Sequence, residues 1–356
     1  MPDSHQDKGT PMDDRINSFA SNLQPKGLIR SGLGRRAVLS GLGAGALSLS
    51  AASRARAEIQ SLVVIGTDGW LYPIWDEVRR FDAAKFQTTT KVVIDAINIM
   101  KKAGIQTAIA LTPSKSRIYR EYLPKDFQWT AEADKRYAAS LDVLGKAGVL
   151  VPDLSTLFLN ARKTNPNETY FFKTDTHWMP QGAEIAAAEI SKQILGKMQL
   201  PPSKAPGKKF GDYIQMIQAK NDLSDQLADK AKYPKEIYKI RKDLADQGGA
   251  SLLEDDSADT VLIGNSYTQP KYMFAPYLSA GLNRPVGLTW KVHQYGSYAI
   301  LLEYFKSAGF KSTRPKLLIW DFEETDMEGP PDRKDFWGEH AMSTDQFLST
   351  VTKAVG

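Results

Sequence analysis

In the stretch KTDTHWMPQGA, Asp175 stands two residues before His177. Along an extended backbone, residues i and i+2 point the same way, so this carboxylate can reach one imidazole nitrogen and leave the other free. Such a pair serves a nucleophilic hydroxyl as its base, contributes to a metal site, or decorates a turn, and the spacing alone leaves all three open. The chain has four histidines and no cysteine. A thiol nucleophile, a thiolate metal cluster and disulfides are therefore excluded, and chemistry falls to Ser, His, Asp, Glu, Tyr or Lys.

The hydroxyl that fits is Ser266, in VLIGNSYTQ. Val261 to Ile263 read as a buried strand, Gly264 permits a sharp turn, and the serine would stand at the strand end just before a helix. There its hydroxyl is exposed among backbone N–H groups of a helix start, the donors an oxyanion needs. A serine is a weak nucleophile until a base takes its proton, and Asp175 with His177 supplies an oriented one. Gly-x-Ser alone is equally the signature of an ordinary turn or N-cap serine.

The metal reading would need a third ligand, such as His293 or an acid near Asp321, yet no HExxH and no histidine pair at helical spacing is present. No metal and no cofactor is therefore expected. The acids Asp321, Glu323 and Glu324 in WDFEETD could suggest a glycosidase pair, but a solvated loop or helix N-terminus is the expected role. His293, among aromatics in WKVHQYGSY, reads as a partly buried structural histidine. His340 lies in a polar tail without evident partners. Of seven tryptophans, Trp178, beside the proposed base, is the one expected to bind substrate.

These residues must be carried by alternating strands and helices. KVVIDAINIMKKAG, with Val93, Ile97 and Met100 at helical spacing, reads as a helix stopped by Gly104. IQTAIALTP is a buried strand, AEADKRYAASLDVLGKAG a helix, VLVPD a strand and STLFLNARKT a helix. KTDTHW is a loop, after which a long helix begins near Pro180, whose fixed φ suits a first turn. DTVLIG and KLLIWDF are strands, separated by helices at YTQPKYMFAPYLSAG and YAILLEYFKSAGF. Residues 201–250, rich in Lys, Asp, Gln and Pro, read as an inserted, largely exposed helical excursion. The alternation predicts an α/β fold with a mostly parallel central sheet, whose functional groups gather beyond the strand carboxyl ends.

The first 57 residues differ from the rest. Arg35 and Arg36 precede a weakly apolar run broken by glycines and serines, and Ala-Arg-Ala at 55–57 offers a cleavage point, as in a twin-arginine export signal. A retained membrane anchor is the alternative, although the run is short for a spanning helix. This leader holds eight of the 46 Lys and Arg and four of the 41 Asp and Glu, leaving 38 against 37 and a net charge of +1 in residues 58–356. No nucleic-acid partner is expected from that balance.

GTDGWLY, TPSKSRIY, YFFKTDTHWMPQGA, VLIGNSYT and LLIWDFEE occur in an order that resembles the alginate O-acetyltransferase family of AlgJ and AlgX, over roughly residues 63–325. The resemblance implies an SGNH-hydrolase-like three-layer domain in which Asp and His precede Ser. By motif it makes Asp175, His177 and Ser266 a catalytic triad and Tyr272 a contact for the acetyl group or acceptor. It also implies periplasmic transfer of acetyl groups through an acetyl-serine onto hydroxyls of alginate or a similar exopolysaccharide. A membrane-bound acyltransferase would be the donor and polysaccharide secretion machinery a partner. The chain ends soon after the last strand, closer to AlgJ and without the carbohydrate-binding module of AlgX. No arginine follows the acid pair in WDFEETDM, and a twin-arginine leader is unexpected for the family. An acetyl-polysaccharide esterase and a non-catalytic polysaccharide-binding or secretion scaffold are the alternative functions.

Overall fold

The computed structural model describes residues 62–244 and 258–356, so the predicted export signal lies outside the described residues. A short antiparallel hairpin, β1 (Val63–Ile65) and β2 (Leu71–Pro73), leads into α1 (Ala83–Lys102). Strand β3 (Gln106–Thr112) is followed by α2 (Lys115–Ile118), α3 (Ala131–Lys146), α4 (Leu154–Thr164) and α5 (Pro180–Lys197). Side chains mark the starts: Asp82, Thr130 and Asp153 each accept a backbone N–H of the first turn of α1, α3 and α4, satisfying a donor that the helix itself cannot. Helix α5 begins with Pro180 in its first turn, as its missing donor favours.

Among the described residues of the predicted insertion, 201–244, there is no α-helix. The segment forms an antiparallel pair, β4 (Phe210–Ile217) and β5 (Ile237–Asp243), linked through two short 3-10 turns. β-branched and aromatic residues at Tyr213, Ile214, Ile217, Ile237, Tyr238 and Ile240 carry the pairing, and the polar composition had concealed them. Several remain exposed, including Ile217 and Ile237.

Strand β6 (Thr260–Gly264), α6 (Phe274–Leu282), β7 (Gly287–Trp290), α7 (Ser297–Lys306), α8 (Ala308–Ser312) and β8 (Leu317–Glu323) complete the sheet, and α9 (Lys334–Trp337) and α10 (Thr344–Val355) close the chain. The four main strands run in the order β3-β8-β6-β7, all parallel. Alternate residues of β8 face opposite layers. Leu317 and Ile319 pack with α4, α5 and α6, whereas Leu318, Trp320 and Phe322 pack with α1, α3, α7 and α10. Burial on both faces is what makes these strands near-continuous apolar runs. The result is the three-layer α/β fold expected.

Three local expectations change. VLVPD contributes a single parallel bridge, Leu150 to Ala108, because Pro152 has no N–H to donate and Asp153 already caps α4. YTQPKYMFAPYLSAG is two 3-10 turns followed by α6, because Met273 adopts φ 63°. The expected polar tail contains α10, whose Phe347, Val351 and Val355 are buried at four-residue spacing. Among the described residues no helix is long and apolar enough to cross a membrane.

Candidate active site

Ser266 sits immediately past β6, in a 3-10 turn at Ser266–Thr268. The turn is tight because Gly264 has no side chain: a β-carbon there would lie 2.4 Å from Thr268 Cγ2 and 2.8 Å from Asp321 Cβ. Asn265 caps the turn. Its Oδ1 accepts the Tyr267 N–H at 2.9 Å and its carbonyl accepts the Thr268 N–H at 3.1 Å, while its Nδ2 donates to Glu323 Oε1 at 3.0 Å.

The other half comes from the loop before α5. Phe171 and Trp178 form an antiparallel bridge, and the chain between them is bent: the His177 N–H donates to Asp175 Oδ1 at 3.1 Å, which turns the carboxylate back onto the His177 ring. Asp175 and His177 point to the Ser266 side. Asp175 Oδ1 lies 2.7 Å from His177 Nδ1, and His177 Nε2 lies 2.8 Å from Ser266 Oγ. With Nδ1 protonated, the imidazole donates to the carboxylate and presents a lone pair to the serine hydroxyl. Asp175 is buried, which would raise its pKa, but the His177 ring and backbone N–H donors outweigh burial and hold it down at about 2.

Trp178 points the opposite way. It is fully buried against Tyr267 and Phe274, and its indole N–H donates to the Tyr267 carbonyl at 3.0 Å. The expectation that it binds substrate is therefore corrected: the bridge to Phe171 and the bond to Tyr267 hold its indole in the core. Tyr272 does reach the site, with its ring stacked on the His177 imidazole at a centroid distance of 4.9 Å. Burial, then the Asp175 and Asp222 carboxylates, push its hydroxyl well above the ordinary tyrosine range.

Three site residues escaped the sequence reading. Lys115 is fully buried and donates to the carbonyls of Phe172, Lys173 and Asp175 at 3.0, 3.3 and 2.7 Å, pinning the loop that bears the Asp–His pair. Burial lowers its pKa to about 8. Glu236, from the insertion, accepts the backbone N–H groups of Lys173 and Thr174 at 3.0 Å each. Asp222, also from the insertion, accepts the Thr176 N–H at 2.6 Å and lies 3.6 Å from His177 Nδ1. Asp175, His177 and Asp222 thus bring three ligand-capable atoms within 4.8 Å of one another. The third group beside the pair is Asp222, not His293 or Asp321, the third ligands named for a metal reading. Only the TPSKSRIY block hinted at Lys115, and nothing in spacing pointed to the other two.

The acids at the end of β8 and just beyond it are not solvated. Asp321, Glu323, Glu324 and Asp326 are all buried. Burial pushes Asp321 up to about 7 and Glu323 up to about 8. Burial would raise Glu324 too, but Arg117, at 2.5 Å, and then Arg136 hold it below the usual range. Glu324 thus takes its arginine partners from α2 and α3. His293 bonds Asp326 Oδ1 through Nε2 at 2.7 Å; burial opposes its charge, but Asp326 and Glu323 raise its pKa to about 9. Asp321 is bonded by Thr112 and Glu323 by Asn265, so these acids support the Ser266 turn and do not flank a cleft as a glycosidase pair would.

Comparison with known proteins identifies the family of the domain that carries this site. A family model described as the SGNH hydrolase-like domain of the acetyltransferase AlgX matches residues 63–324. The chain belongs to this family. Among relatives, the probable alginate O-acetylase AlgJ of Pseudomonas syringae pv. tomato is 29% identical over 289 residues, covering 77% of this chain and 71% of that protein. AlgJ of Pseudomonas fluorescens, also named a probable alginate O-acetylase, is 30% identical over 287 residues, covering 74% and 67%. The O-acetyltransferase domain of Pseudomonas putida AlgJ superposes with a TM-score of 0.64 at 23% identity, over 82% of this chain and 99% of that domain. That likeness establishes the fold. Within the AlgX-type domain the matched span contains both the Asp175–His177 loop and the Ser266 turn.

Proposed function

We propose that this protein transfers acetyl groups to hydroxyls of an exopolysaccharide through an acetyl-serine, with Ser266, His177 and Asp175 as its triad. The observation that carries the reading is the continuous hydrogen-bonded line from Asp175 through His177 to Ser266, in a chain of the AlgX acetyltransferase family. Ser266 Oγ attacks the carbonyl carbon of an acetyl donor as its proton passes to His177 Nε2. Asp175 stabilises the imidazolium that forms. Collapse of the tetrahedral intermediate breaks the bond to the leaving group, which takes the proton from His177. A sugar hydroxyl then gives its proton to His177, attacks the acetyl carbon, and releases Ser266 reprotonated. Because Asn265 holds the Tyr267 and Thr268 amides, the oxyanion donors begin with the N–H of Ser266 itself. Stacking on the His177 ring supports Tyr272 as a contact for the acetyl group.

The AlgJ relatives are named for alginate, so a polyuronate is the acceptor to test first. A membrane-bound acyltransferase as donor, secretion machinery as partner, and twin-arginine export to the periplasm complete the proposal. The test gives purified protein an aryl acetate with and without oligouronate. Transfer predicts an acetyl adduct on the intact protein and acetylated oligomer by mass spectrometry, both lost in Ser266→Ala. Acetate release with unmodified oligomer would instead make it an esterase. Unchanged polymer acetylation in cells carrying only Ser266→Ala would leave a non-catalytic scaffold.

A further inference from the structure

We propose that Asp222, delivered by the inserted segment, is a positioning residue for His177 that acts through its negative charge as well as through its hydrogen bonds. The inference rests on the acyl-transfer reading and extends it to a second carboxylate.

The loop and the insertion interlock through backbone groups. Thr176 N–H donates to Asp222 Oδ1 at 2.6 Å, Asp222 N–H donates to Asp175 Oδ2 at 3.1 Å, and Ser224 N–H donates to the Thr174 carbonyl at 3.1 Å. Each carboxylate is thus held by an amide of the other segment. The remaining oxygen, Asp222 Oδ2, stands 3.6 Å from His177 Nδ1. That distance is too long for a good hydrogen bond and short for an electrostatic contact.

Its consequence appears when His177 takes the Ser266 proton. The ring becomes a cation whose Nδ1 edge faces two carboxylates, one in line and one beside it. An anion within about 4–6 Å favours the charged form of its neighbour, so Asp222 lowers the energy of the state in which the serine is activated. The other ionisable groups that face Asp222 are Asp175, Lys115, Tyr267 and Tyr272. Lys115, the cation among them, is committed to loop carbonyls. A merely structural Asp222 would need only an acceptor for the Thr176 N–H, which an amide oxygen provides.

Asp222→Asn separates the two roles, because it keeps that acceptor and its own backbone N–H but removes the charge. We expect a fall in kcat on the order of 10-fold, the scale of one unit of differential charge stabilisation, with KM for the aryl acetate and the melting temperature near wild type. Asp222→Glu, which restores the charge, should retain a higher kcat than Asp222→Asn, and this ranking is scored per folded protein should either variant be less stable. Wild-type kcat in Asp222→Asn, or a kcat ranking with Asn at or above Glu, would overturn the proposal. Ser266→Ala and His177→Ala run alongside: if these retain activity the acyl-transfer reading itself fails, whereas their loss beside an intact Asp222→Asn rejects only the role of Asp222.

Discussion

Lys115→Met isolates positioning from stability. The substitution keeps an unbranched side chain one atom shorter and removes three N–H bonds to the loop that bears Asp175 and His177. The Lys173 carbonyl retains the Leu71 N–H at 2.8 Å, so the carbonyls of Phe172 and Asp175 are those left without this donor. A buried polar group that loses its partner costs about 1–3 kcal/mol. Against this, the ammonium is itself costly: burial holds its pKa at about 8 instead of 10.5, a penalty of about 3 kcal/mol at neutral pH. The two effects largely offset, so the variant should unfold in urea within about 3 kcal/mol of wild type. Catalysis has no such compensation. The loop loses the one tether beneath the Asp–His pair that comes from α2, and a displacement of about 1 Å is worth about 100-fold in rate. Stopped-flow release of phenol from an aryl acetate would measure acylation directly. A Lys115→Met protein that acylates within about threefold of wild type would refute this account of how the loop is held.

Three further outcomes follow from the site. Gly264→Ala places a methyl group against Thr268 and Asp321, so it should destabilise by about 1–3 kcal/mol and displace Ser266, read as a lower melting temperature with an acylation rate reduced disproportionately. Asp175 has its folded pKa lowered to about 2 from 3.8, so its stabilisation, about 2 kcal/mol, is complete above pH 3.8 and disappears as pH falls through 2. Asp175→Asn should flatten that part of the acid-unfolding curve as well as abolish transfer. His293 has the opposite sign: its folded pKa is raised to about 9 from 6.5, so about 3 kcal/mol is present below pH 6.5 and lost as pH rises through 9. Denaturant titrations of His293→Gln should lack this alkaline decline.

Strands β3, β6 and β8 were readable because burial on two faces leaves unbroken apolar runs such as KLLIW, whereas the half-buried edge strand β7, GLTW, was not predicted; α5 announced itself through Pro180. Ser266 and the Asp175–His177 pair were readable because strand-end and i, i+2 geometry are local. Trp178 was misjudged since proximity in sequence does not give the side of a hairpin on which a residue falls. Asp222 and Glu236 escaped for a different reason. Their partners lie 46 or more residues away, and a lysine-rich segment carries no local sign that its acids turn inward. Likewise Glu324 looks solvated in sequence until Arg117 and Arg136 reach it from α2 and α3.

The position of β8 also dictates when this molecule can fold. It is the last strand to be synthesised, yet it lies between β3 and β6 and contributes to the cores on both sides of the sheet. Until residue 323 is available, β3 and β6 have no ladder between them, and the segments that carry His177 and Ser266 have no common frame. Such non-local closure is slow and leaves unpaired strand edges exposed while it is pending. The emerging chain is therefore most vulnerable to aggregation and proteolysis before its C-terminal strand arrives, and truncations ahead of Leu317 should leave no independently folding half.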